Sequence, residues 1–159
     1  MGALLPAAGG RPRRGTIGYA AGAFDLFHVG HLNVLRRSAQ RCDHLVAGVV
    51  SDEVLRLTKG ITPVISEDER AAIVGALACV DAVYIERDPD RLVTWDDVRF
   101  DVFFKGDDWL GTPRAAALQQ QLASRGARIE YLPYTAETSS TRLRAALADL
   151  ETMARAARG

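Results

Sequence analysis

Lysine is nearly missing from this chain. Of its 20 basic residues 18 are arginine, and Lys59 and Lys105 are the only lysines. An Arg-rich, Ala-rich, Lys-poor composition follows from GC-rich coding, so it carries no function by itself. The two positions that keep lysine are therefore the informative ones. Cysteine is also scarce. Cys42 and Cys79 stand apart, with no CxxC pair and no plausible set of four ligands, which excludes a disulfide framework and a structural zinc site. Each reads as a small, partly buried apolar side chain in a reducing compartment. No apolar run approaches the ~20 residues of a membrane span. Histidine occurs only three times, and two of the three sit three positions apart, at His28 and His31.

What is present suits one soluble domain. The chain has 159 residues, 48% hydrophobic and 25% charged, with equal numbers of acidic and basic groups. A domain of this length buries about two-thirds of its unfolded surface and needs no disulfide or metal to fold. Residues 1–15 are expected to be a disordered tail. Their apolar patch precedes Arg11, Arg13 and Arg14, the reverse of a secretory signal. The domain is expected over 16–159. Without the three tail arginines, 17 basic groups face 20 acidic ones, a net charge of about −3. That argues against a nucleic-acid-binding surface. A cytoplasmic protein with no membrane partner is the expectation.

Periodicity gives an alternating order. Strands are expected over 16–21, 44–50, 81–85, 101–104 and 128–132. Helices are expected over 32–41, from Ser66 through Leu77, over 89–99, from Thr112-Pro113 to about Arg125, and from Ser139 or Ser140 towards Ala156. Residues 44–50 are continuously apolar, as in a strand buried on both faces. Ser66-Glu67-Asp68-Glu69 is a capping box, and Thr112-Pro113 places proline at the first helical position. Such a β-α alternation with short connections implies a three-layer α/β sandwich with a five-stranded parallel sheet. Its ligands bind beyond the carboxyl ends of the strands.

The chemistry-bearing segments fall at those ends. Gly22-Ala23-Phe24-Asp25-Leu26-Phe27-His28-Val29-Gly30-His31 leaves the first strand and enters the first helix. The spacing of His28 and His31 sets both imidazoles on one side of a helix start. Gly30 lets a ligand approach the backbone, and the first helical turn is an anion site. Hydrogen-bond donors above an anion site suit a phosphate chain undergoing substitution. The alternatives are a pair of zinc ligands, or one capping and one buried histidine. Lys59 falls in Thr58-Lys59-Gly60-Ile61-Thr62-Pro63, read as a flexible loop that can swing a compact charge over a triphosphate. Arg70 lies in a helical first turn, where a cation opposes the helix dipole and hints at an anionic partner, an ion pair to Glu67 or another carboxylate being the plainer account. Lys105-Gly106-Asp107-Asp108-Trp109 ends the fourth strand. There Trp109 offers a flat face and a carboxylate can accept from the exocyclic amine of cytosine. Thr138-Ser139-Ser140-Thr141 opens the last helix, again an anion site. His44 and Trp95 read as structural.

These segments together resemble the nucleotidyltransferases with an HxGH signature, and within that group the glycerol-3-phosphate cytidylyltransferases. The likeness covers roughly 17–147. It rests on 22–31, Lys59-Gly60, Glu69-Arg70, Val80-Asp81, the Gly106-Asp107-Asp108-Trp109 turn and Ser139-Ser140-Thr141. The resemblance implies a Rossmann-like nucleotidyltransferase fold and a Mg²⁺-dependent reaction of CTP with a small phosphorylated alcohol, giving a CDP-alcohol and pyrophosphate. It implies that His28, His31 and Lys59 act on the phosphates, and that Asp25 arranges the nucleotide or its magnesium. It further implies that Gly22, Ala23, Phe24, Gly30, Lys105 to Trp109 and Thr138 to Thr141 hold the nucleotide. Arg70 and Tyr134 are candidate acceptor or phosphate contacts, and a homodimer is expected.

Four positions depart from the glycerol-phosphate pattern. Ala23 replaces Thr, Ile61 a basic residue, Ala78 an Arg, and Tyr134 the Arg before a Thr in the segment preceding the last helix. A hydrogen bond to a charged group contributes about 1.5–3 kcal/mol, so the missing charges matter. Arg142, Arg144 or Arg114 could replace them, or the acceptor differs. Related adenylyltransferases acting on sugar phosphates also lack these arginines and share the Ser-Ser-Thr ending. ATP on a sugar phosphate, a phosphonate cytidylyltransferase and a catalytically silent nucleotide-binding module are the alternatives.

Overall fold

The computed structural model of the chain describes residues 15–133 and 139–158. Residues 1–14 of the expected tail at 1–15, and the candidate site residues Tyr134 and Thr138, lie outside the described residues. In chain order the elements are β1 (Ile17–Gly22), α1 (Val29–Ala39), β2 (His44–Val50), α2 (Asp52–Lys59), α3 (Glu67–Gly75) and β3 (Ala82–Glu86). Then follow α4 (Arg91–Val98), β4 (Val102–Gly106), a 3-10 turn (Asp107–Trp109), α5 (Pro113–Ala123), β5 (Arg128–Leu132) and α6 (Ser140–Ala156). The expected three-layer α/β architecture is present. The five strands are all parallel, in the order β3-β2-β1-β4-β5.

The apolar strands explain the sandwich. Successive side chains of a strand point to opposite faces, so a run apolar at every position needs cover on both. Leu45, Ala47 and Val49 of β2 join Leu35 of α1 and Phe104 in one buried cluster, while Val46 joins Tyr19, Phe100, Phe103, Leu118 and Leu122 in the other. Tyr19 stacks on Phe100 with centroids 5.1 Å apart. Its hydroxyl crosses β2 above Gly48 and donates to Glu86 at the end of β3. A Cβ at Gly48 would lie 1.9 Å from that hydroxyl, so no other residue fits beneath it. Aspartates just before three strands fix the register. Asp43, Asp81 and Asp101 accept from the backbone N–H of Thr16, Leu45 and Ile17 at 2.6, 2.7 and 2.8 Å.

One expectation is overturned. The segment around Lys59 is not a loop over its whole length, because α2 occupies it. Ser51 caps this helix by accepting from Val54 N–H at 3.2 Å, Asp52 and Glu53 favour its N-terminus, and Val54 and Leu55 are buried. Gly60 ends it in the left-handed region with φ 63°. Lys59 is thus the last helical residue, with its side chain exposed. Helices α3, α5 and α6 match their expected capping residues, Ser66, Thr112 and Ser139, each of which accepts from a first-turn N–H, whereas α1 starts at Val29 rather than 32 because His28 caps it.

Candidate active site

In this strand order the chain leaves β1 in one direction towards β2 and β3, and in the other towards β4 and β5. The switch point lies at the carboxyl ends of β1 and β4. There Gly22 gives way to a strained loop. Phe24 and Leu26 both take left-handed φ, 53° and 49°, on either side of Asp25. Backbone of this kind costs on the order of 1–3 kcal/mol per residue and persists only where its surroundings enforce it.

Two buried charges do so. Asp25 is 1% exposed, and its carboxylate accepts from the amides of Leu26, Val64 and Ile65 at 3.0–3.1 Å and from Arg144 Nη1 at 3.1 Å. Burial would raise its pKa, but the Val64 and Ile65 amides and Arg144 outweigh it and hold the carboxyl below its ordinary value. Arg70 is fully buried. It donates to the carbonyls of Ala23, Val50 (2.9 Å) and Ile65 (2.9 Å), and to Asp52 Oδ1 at 2.5 Å. The expected phosphate contact at Arg70 is therefore corrected. This guanidinium pins the end of β1 to β2, α2 and the start of α3, and the carboxylate partner is Asp52 rather than Glu67.

The two histidines start α1. His28 is its N-cap, and His28 Nδ1 accepts from the amide of Gly30 at 3.0 Å. His31 Nδ1 accepts from the amide of His28 at 3.3 Å. The rings stack with centroids 3.9 Å apart, side by side as the spacing implies. Because an amide donates to each Nδ1, a neutral ring carries its proton on Nε2, so the pair offers two Nε2–H donors. Burial lowers the pKa of both. His31, packed on Phe24 and Phe27, falls to about 4 through burial and then the repulsion of His28. The start of α6 meets the same loop. Ser139 caps it by accepting from Arg142 N–H at 3.2 Å, Ser140 Oγ donates to the Asp25 carbonyl at 2.7 Å, and Thr141 is exposed. Asp25 thus ties the start of α6 to the segment that leads into α3.

Beside this shelf lies a cleft of about 590 Å³ over the ends of β1 to β4. Of the expected residues, Gly22, Ala23, Lys59, Lys105, Asp108 and Trp109 line it. Phe24, Asp25, His28, Gly30, His31, Gly106, Asp107, Ser139, Ser140 and Thr141 do not. Phe24 and Asp25 are buried beneath the loop, and Gly106 carries the close approach of the Asp108 carboxylate, which a Cβ there would meet at 2.6 Å. Lys105 Nζ sits 4.6 Å from the centre of the Trp109 ring, and the Arg114 guanidinium 5.6 Å from it, so that ring holds cations. Burial, then the positive charge of Arg91 and Lys59, lowers Lys105 to about 8.

The sequence reading missed Glu86 and Arg91. Both line the cleft, and they are paired, with Arg91 donating to Glu86 Oε1. The available signal was a charged residue closing the apolar strand β3 at the sheet edge where ligands bind. Arg114, considered only as a substitute for the missing arginines, also lines it. Among the described residues no group of three or more His, Cys, Asp or Glu is placed to hold a metal ion. Asp25, the expected magnesium ligand, does not fit, because both its oxygens are engaged by amides and Arg144. No described helix is long and apolar enough to cross a membrane.

Comparison with known proteins places this arrangement. A family model described as cytidylyltransferase-like matches residues 19–146. The bifunctional protein HldE of Syntrophotalea carbinolica is 38% identical over 133 residues, 82% of this chain and 27% of that protein. HldE of Streptomyces coelicolor is 40% identical over 144 residues, 87% of this chain and 30% of that protein. The chain therefore spans under a third of the length of these curated relatives. A solved structure described as the lipopolysaccharide core biosynthesis protein from Thermoplasma volcanium superposes with TM-score 0.67 and 26% identity, covering 79% of this chain and all of the other. A protein of unknown function from Archaeoglobus fulgidus shares the fold, with TM-score 0.56 and 19% identity. The chain, with its parallel sheet and its histidine pair at the start of α1, belongs to the cytidylyltransferase-like family of nucleotidyltransferases.

Proposed function

We propose that the chain transfers a nucleotidyl group from ATP to the phosphate of a sugar phosphate, releasing pyrophosphate. The observation that carries the reaction is the juxtaposition at Gly22 and Ala23. On one side is a neutral histidine pair with two Nε2–H donors at a helix N-terminus, on the other a cleft with Lys59, Arg91, Lys105 and Arg114. The nucleotide phosphates lie across the N-termini of α1 and α6, where helix dipoles and hydroxyls favour anions. The acceptor phosphate lies in the cleft. Its oxygen attacks the α-phosphorus, the bond from that phosphorus to the bridging oxygen breaks, and pyrophosphate leaves with the electron pair. His28 and His31 donate to oxygens that gain charge, and the cations hold the acceptor. Positioning and charge stabilisation are what such a transfer requires of a protein. Mg²⁺ enters with the triphosphate, as part of the substrate.

The sugar acceptor is supported by the Thermoplasma volcanium relative, whose description names a saccharide-containing polymer. Missing charge at Ile61 and Ala78 supports the same choice through the resemblance to adenylyltransferases acting on sugar phosphates. CTP with a polyol phosphate is the second reading, favoured by the likeness of the Lys105 to Trp109 turn to the glycerol-phosphate enzymes. Pyrophosphate release, measured with ATP and CTP against sugar 1-phosphates and glycerol 3-phosphate, separates them. The expected outcome is release with ATP and a sugar phosphate, abolished by EDTA. Release only with CTP and glycerol 3-phosphate selects the second reading. Tight nucleotide binding without release in any combination contradicts both, and leaves a non-catalytic binding module.

A further inference from the structure

Glu86 is 98% removed from solvent, yet it lines the cleft. Its two carboxylate oxygens are treated differently. Oε1 accepts from Tyr19 on the sheet side and from Arg91 on the α4 side. Among the described residues nothing donates to Oε2. A buried carboxylate oxygen without a donor costs free energy, and proteins rarely leave one without a purpose. The fold goes to some length to hold it there. Gly48 lacks a side chain so that Tyr19 can reach Glu86, and Ser51 N–H, at the cap of α2, donates to the Glu86 carbonyl at 2.9 Å.

From this we infer that Glu86 is the specificity determinant of the cleft, and that Oε2 accepts a hydrogen bond from a hydroxyl of a polyhydroxylated phosphate ester. An ionised carboxylate has only acceptor sites, so it reads a donor and repels a phosphate oxygen. It therefore also orients the ligand, with the hydroxyl-bearing carbons at the β3 end and the phosphate towards Lys59, Lys105 and Arg114. Arg91 keeps the carboxylate paired, so the cleft stays attractive to an anion. The inference rests on the cleft being the acceptor site, and it narrows the acceptor to esters with a free hydroxyl near the phosphate.

The test uses binding alone, by calorimetry without nucleotide. The probes are glucose 1-phosphate, mannose 1-phosphate, glycerol 3-phosphate and, as the hydroxyl-free reference, ethyl phosphate. In the wild type the best hydroxylated probe is expected to bind about 10- to 100-fold more tightly than ethyl phosphate, the range of a hydrogen bond to a charged group. Glu86→Gln should erase that preference, read as the ratio of the hydroxylated probe to ethyl phosphate in the same variant, because the loss of the charge paired with Arg91 shifts the affinity for both probes together. If Glu86→Gln fails to fold, Glu86→Asp, which keeps the charge and retracts the oxygen, should show the same loss. A wild type that does not prefer any hydroxylated ester overturns the inference. So does a folded Glu86 variant that keeps the preference. Parallel pyrophosphate assays separate the two ideas. Turnover with the preference unchanged sinks the role of Glu86 alone, while a Glu86-dependent preference without turnover sinks the nucleotidyl transfer alone.

Discussion

His31 shows how burial shapes a phosphate site at the scale of one residue. Its folded pKa near 4 lies well below the unfolded 6.5, so at neutral pH the pair is uncharged and donates through Nε2–H. Replacing His28 or His31 by Ala should lower kcat by about 100- to 1,000-fold, the usual loss for one donor to a developing oxyanion, and His28→Ala should also lower the thermal midpoint by about 2–4 °C because the cap of α1 is lost. The same shift has a consequence for stability. Between pH 6.5 and 4 the unfolded chain binds a proton at His31 that the folded chain does not. Stability contributed by the neutral ring is therefore full above 6.5, declines as the pH falls, and is gone below 4. Urea unfolding at several pH values should show that acid slope, and His31→Asn should flatten it. Lys105 titrates on the alkaline side. With a pKa of about 8 it loses its charge as the pH rises through 8, so the acceptor KM should climb there, and Lys105→Arg should remove the climb. An unchanged pH profile in Lys105→Arg would show that this ammonium does not hold the acceptor.

Among the elements, the short helix α2 and its link to Arg70 decide the shape of the site. Arg70 gathers the carbonyls of Ala23, Val50 and Ile65 with Asp52, and so joins the ends of β1 and β2 to the starts of α2 and α3. Arg70→Met should cost about 3–5 kcal/mol, since Asp52 and the carbonyls lose their partner, and it should show in urea unfolding before any assay. A loss under about 1 kcal/mol would mean that the loop holds its strained backbone without this guanidinium. The strands at 44–50 and 128–132 could be read from sequence to the residue, because apolar runs and turn residues bound them. α2 could not. It is eight residues long, starts directly after a strand, and draws its stability from burying Val54 and Leu55 rather than from a long periodic pattern. The role of Arg70 was hidden for a related reason. A cation in a helical first turn suggests an anionic ligand, and only the folded chain shows the carbonyls that replace it.

Over the whole molecule, the strand order converts distant segments into one site. Gly22 and Ala23, Lys59, and Lys105 with Asp108 and Trp109 are far apart in the chain and share one cleft. The first and last were legible because each falls at a strand's carboxyl end, whereas Lys59 ends α2 and stood out only as one of two lysines before a glycine. Glu86 and Arg91 were not, since a charged pair at a strand edge looks like any surface ion pair until burial is known. Both lysines of this arginine-rich chain line the cleft, which gives their retention a physical context. The most direct test is phosphorus NMR of the purified chain with MgATP and a panel of sugar 1-phosphates. Nucleotidyl transfer predicts a pair of coupled diphosphate resonances, one from the nucleotide and one from the sugar, growing together with free pyrophosphate and absent with His28→Ala. Inorganic phosphate and ADP as the only products, or no reaction from a folded chain with ATP or CTP and any acceptor, would contradict it.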